Sequence, residues 1–429
     1  MRNVRLVSRV ASAAAVMLAV TPAGAFTPEE VAAAAGVARE VEADVRVYAS
    51  DALEGRRMGT PGGLAARELL IDQLVLLGAG LAPGDGRDAY VQSFDSEDVA
   101  GLGNVLAVIP GSIDSEEYVV VGAHYDHLGV SGGASSGDSI YNGATDDAAG
   151  VAIVLAIGRA LRALPVPPSR SVVLAFWDGE ESGLLGSRYF TNVDPLVPLA
   201  DIATYVNFDI QGSNLLPSLR NTSFAIGAET GGDSLSELTT EAIGATDLDT
   251  RLLSLTFGQG RSDHQPFWAK KVPVVFFSDA TNACYHTPGD EVELVDFHKL
   301  ARQGEIGFRT VLALAESIER PAFAPLLAFD TYEDLLVLAE LLTRGLVDLP
   351  LLESGWADQL VSIEARARAL VEDGPDAFGP TDALLIAQDT LTIAESGIAC
   401  DAALLPEPGA IGAAVAFATL ALRARRRNH

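Results

Sequence analysis

The sequence predicts an α/β fold, a three-layer α/β/α sandwich built on a mostly parallel mixed sheet. Between Asn104 and about Ile318, short β-branched and aromatic runs alternate with helix-like segments, a pattern typical of helices packed on a layered sheet. The apolar runs are bounded by Gly, Pro and Asp, as buried strands usually are. A chain of 429 residues that is 48% hydrophobic is long enough to bury such a core.

Residues 26–95 precede the alternating part and are predicted to be a helical lead-in. Glu29–Val47 is rich in alanine, and Gly63–Leu77 repeats apolar residues at helical spacing. The core is then predicted over residues 96–320, and its last element is a helix that begins at Phe297 and ends near Ile318.

After Pro321 the character of the sequence changes, and residues 321–400 are predicted to be a small helical appendage. Clusters of Gly, Pro and Asp separate its three helical segments. We interpret the appendage as a structural cap on the core. The predicted helices are Thr331–Leu342, Trp356–Val371 and Thr381–Ser396.

Several apolar runs of the core stop at a residue that can bind a metal ion or a proton. Three runs end at His124, Glu180 and Asp209, and a fourth precedes the loop that contains His286. In open α/β sheets the ligand crevice lies at the carboxyl ends of the strands, so these residues are expected to converge. The complete set, in chain order, is His124, Asp146, Glu180, Glu181, Asp209 and His286.

Each member of this set has a common structural explanation when it is taken alone. Asp146 and Asp147, for example, open a helix as N-capping residues ordinarily do. Together, however, carboxylates and imidazoles are the O and N ligands that zinc prefers. A carboxylate shared by two ions holds them about 3.5–4 Å apart. In the pair Glu180 and Glu181, one residue can ligate while its neighbour serves as a base.

The motifs around these residues resemble those of the M28 family of zinc metallopeptidases, which have a zinc exopeptidase-like fold. The resemblance covers roughly residues 45–318, and its motifs occur in the family's order. They are Gly122–Gly129, Asn142–Gly150, Asp178–Ser187, Asn207–Gly212, Ser262–Phe267 and Tyr285–Asp290.

The resemblance implies a site for two zinc ions per chain. By matching position, His124 and Asp209 would hold one zinc ion, and Glu181 and His286 would hold the other. Asp146 would bridge the two ions.

The resemblance also implies roles for residues beside the ligands. Glu180 would be the general base, and Asp126 would be the carboxylate that orients His124. A cis peptide bond between Asp146 and Asp147 is expected as well. His127 is interpreted as a structural residue of the first loop.

The function expected from the family is that of an exported di-zinc aminopeptidase. Hydroxide held by the metals would attack the first peptide bond of substrates with a free amino terminus. One departure concerns Gln259, which stands where some secreted relatives have a tyrosine that stabilises the oxyanion. The oxyanion partner and the substrate side-chain preference therefore stay open.

Two alternatives to an aminopeptidase are kept. The first is a glutaminyl cyclase-like acyltransferase with one zinc ion. In that group serine typically follows the bridging position, whereas here Asp147 follows Asp146. The second is a non-catalytic binding protein with the M28 fold, although relatives of that kind lose ligands or the base.

Charge and cysteine content limit the partners and the environment of the chain. The 29 basic and 58 acidic residues give a formal net charge of −29, which repels phosphate backbones and argues against nucleic-acid binding. Only two cysteines are present, Cys284 and Cys400, and whether they pair is left open.

Both ends of the chain resemble targeting signals. Residues 1–25 have an arginine-containing start, a short apolar run and a small-residue end at Ala25, as in a secretory signal peptide. Residues 401–429 contain Pro406–Pro408, an apolar run to Leu422 and terminal arginines, which resembles a PEP-CTERM sorting signal. The protein is thus expected in the periplasm, at the cell surface or secreted. An exosortase-type enzyme would process the tail, and its short apolar segment would contact the inner membrane transiently.

Overall fold

The computed structural model describes residues 26–80, 86–131, 137–325, 330–379, 381–397 and 400. The predicted signal peptide and the predicted sorting signal both lie outside these residues. Within the described ranges, no helix has the length and apolar character that crossing a membrane requires.

An eight-stranded mixed sheet forms the centre of the molecule, in the order β1-β2-β6-β3-β7-β10-β8-β9. Strands β6, β3, β7 and β10 are mutually parallel neighbours, whereas β2 pairs with β6 in the antiparallel direction. A separate two-stranded sheet contains β4 and β5. The strands are β1 Val91–Phe94, β2 Leu102–Ile109, β3 Asp114–His124, β4 Gly129–Val130, β5 Ile140–Tyr141, β6 Arg170–Trp177, β7 Ile202–Phe208, β8 Thr222–Ile226, β9 Asp249–Leu253 and β10 Val274–Ser278.

Helices cover both faces of the sheet, so the predicted three-layer α/β/α architecture is confirmed. Helices α1, α3 and α7 pack together on one face, and α4 and α6 lie on the other, where Phe190 and Phe267 contact Trp177. Because both faces are covered, every residue of β6 and β7 is buried, which explains their continuous apolar runs. The helices are α1 Pro28–Tyr48, α2 Pro61–Leu77, α3 Ala149–Ala163, α4 Leu185–Asn192, α5 Gly232–Ile243, α6 His264–Ala269, α7 Phe297–Glu316, α8 Tyr332–Gly345, α9 Ser354–Asp373 and α10 Asp382–Ser396.

Local sequence signals set the ends of the long helices. Helix α1 begins with a capping box, in which Thr27 and Glu30 satisfy each other's backbone N–H groups. Helix α2 has Thr60 as its N-cap and ends at Gly78, whose φ of 65° is left-handed and suits a glycine. These signals place the two lead-in helices within three residues of the sequence prediction.

The appendage consists of α8, α9 and α10, and all three coincide closely with the predicted helices. Leu335 and Ile386 of the appendage pack with Leu216 and Phe224 of the core in one apolar cluster. A disulfide joins Cys284 to Cys400 and so ties the end of the appendage to the core. The sequence left this pairing open, because Cys284 lies beside a predicted ligand and Cys400 lies in the tail, 116 positions away.

A buried ion pair joins helix α7 to the loop after β10. Lys299 Nζ lies 2.9 Å from Asp279 Oδ1, and both side chains are almost inaccessible to solvent. Lys299 also donates to the backbone carbonyl of Ser213, and Gln303 donates to Asp279. The pair therefore anchors the loop after β7 to the loop after β10.

Replacing Lys299 by methionine is expected to destabilise the fold by about 3–5 kcal/mol, because it leaves the Asp279 carboxylate buried without its counter-charge. Urea denaturation of purified protein measures this change. Lys270→Met is the matched control, since Lys270 is exposed and should change stability by less than about 0.5 kcal/mol. Equal stabilities for the two variants would contradict the importance of the pair.

Candidate metal centre

The sheet brings three of the predicted site residues to one edge. His124 is the last residue of β3, Asp209 directly follows β7, and Glu180 lies three residues after the end of β6. Since β6, β3 and β7 are adjacent and parallel, their carboxyl ends meet at the same edge.

The predicted ligands form two groups that share Asp146. In the first group, His124 Nε2 lies 3.1 Å from Asp146 Oδ1 and 3.6 Å from Asp209 Oδ1. In the second group, His286 Nε2 lies 3.2 Å from Asp146 Oδ2 and 3.0 Å from Glu181 Oε2. The two oxygens of one carboxylate thus face two different histidines, as a bridging ligand would.

The backbone around Asp146 is held by a second aspartate. Asp290 accepts hydrogen bonds from the backbone N–H groups of Thr145, at 2.9 Å, and Asp146, at 3.1 Å. The peptide bond between Asp146 and Asp147 is cis, as the resemblance implied. Burial would raise the pKa of Asp146, but the imidazoles of His124 and His286 hold it well below its ordinary value.

Asp126 contacts His124 and also the segment that carries the candidate base. His124 Nδ1 lies 3.1 Å from the backbone carbonyl oxygen of Asp126 and 3.7 Å from its Oδ1. This contact leaves Nε2 free to face the other ligands. The same Oδ1 accepts a hydrogen bond from the Glu180 backbone N–H at 3.0 Å. Asp126 therefore positions both the predicted ligand His124 and the segment that carries Glu180.

Glu180 lines the cleft beside the two groups and is almost completely buried. Burial raises the pKa of the Glu180 carboxyl well above its ordinary value. A carboxyl group with a raised pKa exchanges protons more readily near neutral pH, which suits a general base and acid.

His127 is a site residue that the sequence analysis assigned to loop structure. Its Nδ1 lies 2.6 Å from Glu181 Oε1 and 3.9 Å from Asp146 Oδ2, and its ring is fully buried. Two sets of three residues bring potential ligand atoms within 4.8 Å of one another. The first set is His124, Asp147 and Asp209, and the second is His127, Asp146 and Glu181. We favour Asp146 over Asp147 in the first set, because Asp146 Oδ1 lies 3.1 Å from His124 Nε2, whereas Asp147 Oδ1 accepts the Gly150 N–H.

The donor set fits zinc ions. The atoms His124 Nε2, His127 Nδ1 and Glu181 Oε1 are buried and form no hydrogen bond of normal geometry, although carboxylate oxygens or imidazole nitrogens of the site lie close to them. Buried polar atoms are rarely left without a partner, so these atoms are suited to a cation. Imidazole nitrogens and carboxylate oxygens are zinc ligands, whereas magnesium and calcium sites use oxygen almost entirely.

A buried arginine supports the loops on which the site is built. The guanidinium group of Arg56 donates to the backbone carbonyls of Tyr125 and Gly143, both at 3.0 Å, and to those of Tyr48 and Asn142. Tyr125 adjoins His124, and Gly143 lies three residues before Asp146. In the sequence, Arg56 is visible only as part of a glycine-containing loop. Its role could not be predicted, because its hydrogen-bond acceptors are backbone atoms of distant segments.

Replacing Arg56 by methionine is expected to destabilise the fold by at least about 3 kcal/mol, since each unsatisfied buried acceptor costs about 1–3 kcal/mol. Arg56→Lys should recover only part of this loss, because an ammonium group cannot reproduce the planar fork of donors. Urea denaturation and zinc content measure the effect. Arg57→Met, at the exposed neighbouring position, is the control and should behave like the unchanged protein.

The cleft above the ligands is lined by both polar and apolar side chains. Tyr285 stacks on His286 with ring centroids 3.8 Å apart, and Arg261 donates to the Tyr285 hydroxyl at 3.4 Å. Gln259 lines the same cleft. Tyr285 directly precedes a predicted ligand, but nothing in the sequence marked it as a site residue.

Comparison with known proteins agrees with this geometry. Residues 104–311 match the model of peptidase family M28. Leupeptin-inactivating enzyme 1 of Streptomyces exfoliatus is 29% identical over 201 residues, which are 44% of this chain and 38% of that protein. Aminopeptidase YwaD of Bacillus subtilis is 26% identical over 223 residues, covering 49% of this chain and 44% of that protein. The chain thus spans less than half the length of either relative.

Solved structures share the fold at low sequence identity. The LapA aminopeptidase of Legionella pneumophila superposes with a TM-score of 0.53 at 18% identity, covering 74% of this chain and 81% of that chain. The glutaminyl cyclase of Porphyromonas gingivalis gives 0.52 at 18% identity, covering 64% and 97%. The fold therefore occurs in an aminopeptidase and in a glutaminyl cyclase, so the fold alone does not distinguish these activities.

The family match, the similarity to an aminopeptidase and the paired ligand groups point to the same class of protein. Residues 104–311 are therefore similar to the core of the M28 peptidases.

Proposed function

We propose that the protein is a di-zinc aminopeptidase that removes amino-terminal residues from peptides. The observation that carries the proposal is the position of Asp146, whose two oxygens face His124 and His286 at 3.1 and 3.2 Å. A carboxylate placed in this way can serve two ions at once. The sequence similarity to YwaD, a protein named as an aminopeptidase, supports the assignment to the exopeptidases.

The reaction would use the residues of the cleft in separate roles. Zinc ions in the two ligand groups would polarise the scissile carbonyl and lower the pKa of water. Glu180 would accept the proton of the attacking water and pass it to the leaving amine. Asp126 would hold the His124 ring and the Glu180 backbone in position. The Gln259 amide lines the cleft and is able to donate a hydrogen bond, so it is our candidate for further stabilising the oxyanion.

A panel of aminoacyl-nitroanilides, each with a free or a blocked amino group, tests this proposal. Free substrates should be hydrolysed and blocked ones should not. A chelator should abolish hydrolysis, and added zinc should restore it. Equal cleavage of blocked substrates would refute an aminopeptidase.

The number of zinc ions separates this proposal from the glutaminyl cyclase alternative. Metal analysis of the fully loaded protein should give close to two zinc ions per chain. A value close to one, together with cyclisation of amino-terminal glutamine, would favour the cyclase.

Export and tail processing are part of the same proposal and rest on sequence alone. The signal-like residues 1–25 and the PEP-CTERM-like residues 401–429 support them. Mass spectrometry of protein from cell fractions should find a mature chain that begins after Ala25 outside the cytoplasm. A full-length chain in the cytoplasm would contradict export.

A further inference from the structure

An apolar cavity lies between the core and the helical appendage and opens into the metal cleft. Core residues such as Leu216 and Phe224 form one wall, while Leu338, Leu342 and Ala387 of α8 and α10 form the other. We propose that this cavity receives the apolar side chain of the substrate's amino-terminal residue, and that α10 limits how large that side chain can be. This inference rests on the proposed aminopeptidase function.

The cavity is continuous with the cleft that contains the ligands. Five residues line both spaces: Ile226, Phe257, Gln259, Ala280 and Leu391. Leu391 belongs to α10 and is half-buried, so the appendage contributes directly to the wall of the metal cleft. A group bound beside Glu180 and Asp209 can therefore extend a side chain past Leu391 into the cavity.

The chemistry of the cavity selects the kind of side chain. Among the described residues that line it, only Gln259 and Thr390 are polar and none is charged. An ionised side chain would lose its hydration there without gaining a partner. A leucine or phenylalanine side chain would instead bury its apolar surface against these walls.

Helix α10 is tied to the loop that carries His286. Thr281, which lines the metal cleft, donates a hydrogen bond to Glu395 near the end of α10. Farther along the chain, Cys400 is joined to Cys284, two residues before His286. The appendage wall and the second ligand group are thus held together. The sequence analysis interpreted the appendage as a structural cap, and the proposal adds to this a role for α10 in the pocket wall.

Side-chain preference in the unchanged protein and three variants tests the inference. The unchanged protein should hydrolyse Leu- and Phe-nitroanilide with kcat/KM at least 10-fold above the Ala substrate, since one methylene in an apolar pocket is worth roughly 10- to 200-fold. Glu and Arg substrates should be poorest. Ala387→Phe places a ring in the cavity and should lower the Leu-to-Ala ratio of kcat/KM at least 10-fold.

The matched control is Leu385→Phe, because Leu385 is on the same helix but 49% exposed and outside the cavity. It should keep the ratio of the unchanged protein. Leu391→Trp at the mouth of the cavity gives an independent reading if Ala387→Phe does not fold, as checked by thermal unfolding. It should also lower the Leu-to-Ala ratio.

The outcomes separate the two hypotheses. A protein that cleaves no substrate with a free amino group overturns the proposed function and this inference together. Zinc-dependent cleavage that favours Glu or Arg overturns the cavity assignment alone. The same conclusion follows if Leu-to-Ala ratios stay unchanged in the folded variants at positions 387 and 391.

Discussion

Replacement of Glu180 by glutamine is expected to lower kcat about 10²- to 10⁴-fold, the range that general acid–base catalysis contributes. Glutamine has nearly the same shape, but it cannot take up the proton of the attacking water. The backbone N–H of residue 180 can still donate to Asp126, so the surrounding loop should keep its conformation. Zinc content should stay at the level of the unchanged protein, because Glu180 belongs to neither ligand group.

Steady-state kinetics with a Leu-nitroanilide and metal analysis of the same sample measure the two effects separately. Glu237→Gln is the matched control, since Glu237 is exposed on α5, away from the cleft. Activity retained within tenfold would refute the base assignment. A loss of zinc along with the activity would instead make Glu180 a ligand.

Replacement of Asp146 by asparagine is expected to remove zinc from both ligand groups and to abolish turnover. The amide has one oxygen in place of two and no charge, so it cannot bridge two cations. Loss even of groups that only support a ligand weakens metal binding about 10- to 100-fold, and loss of a shared ligand should exceed that. Asp209→Asn should be milder, because Asp209 faces only His124.

Zinc titration followed by calorimetry distinguishes these variants without relying on activity. Asp209→Asn should keep close to one tight site, whereas Asp146→Asn should keep none. The exposed Asp233→Asn serves as the control for loss of one negative charge. If Asp146→Asn and Asp209→Asn each retain one tight site, the bridge is not at position 146.

Much of the fold follows from patterns that are local in the sequence. The buried strands β3, β6 and β7 appear as continuous apolar runs because helices cover both faces of the sheet. The lead-in and appendage helices are marked by caps and by Gly and Pro at their ends. Their boundaries could be predicted within a few residues for the same reason.

Contacts between distant segments left no comparable signal. Arg56 acts through backbone carbonyls, which every residue has, so no residue type marks its partners. Asp290 likewise binds backbone N–H groups across 144 positions. His127 appeared to be a structural residue because only the folded loop shows its ring beside Glu181.

The sequence by itself determined the layered α/β class, the helical segments and the set of residues that converge at the strand ends. These features depend on periodicity and on which residue types end each run. Only the tertiary structure decided that both oxygens of Asp146 face different histidines, that Cys284 pairs with Cys400, and that α10 lines the cleft. Most of these contacts join residues more than 100 positions apart, and the packing of the whole core sets them, so no local pattern encodes them.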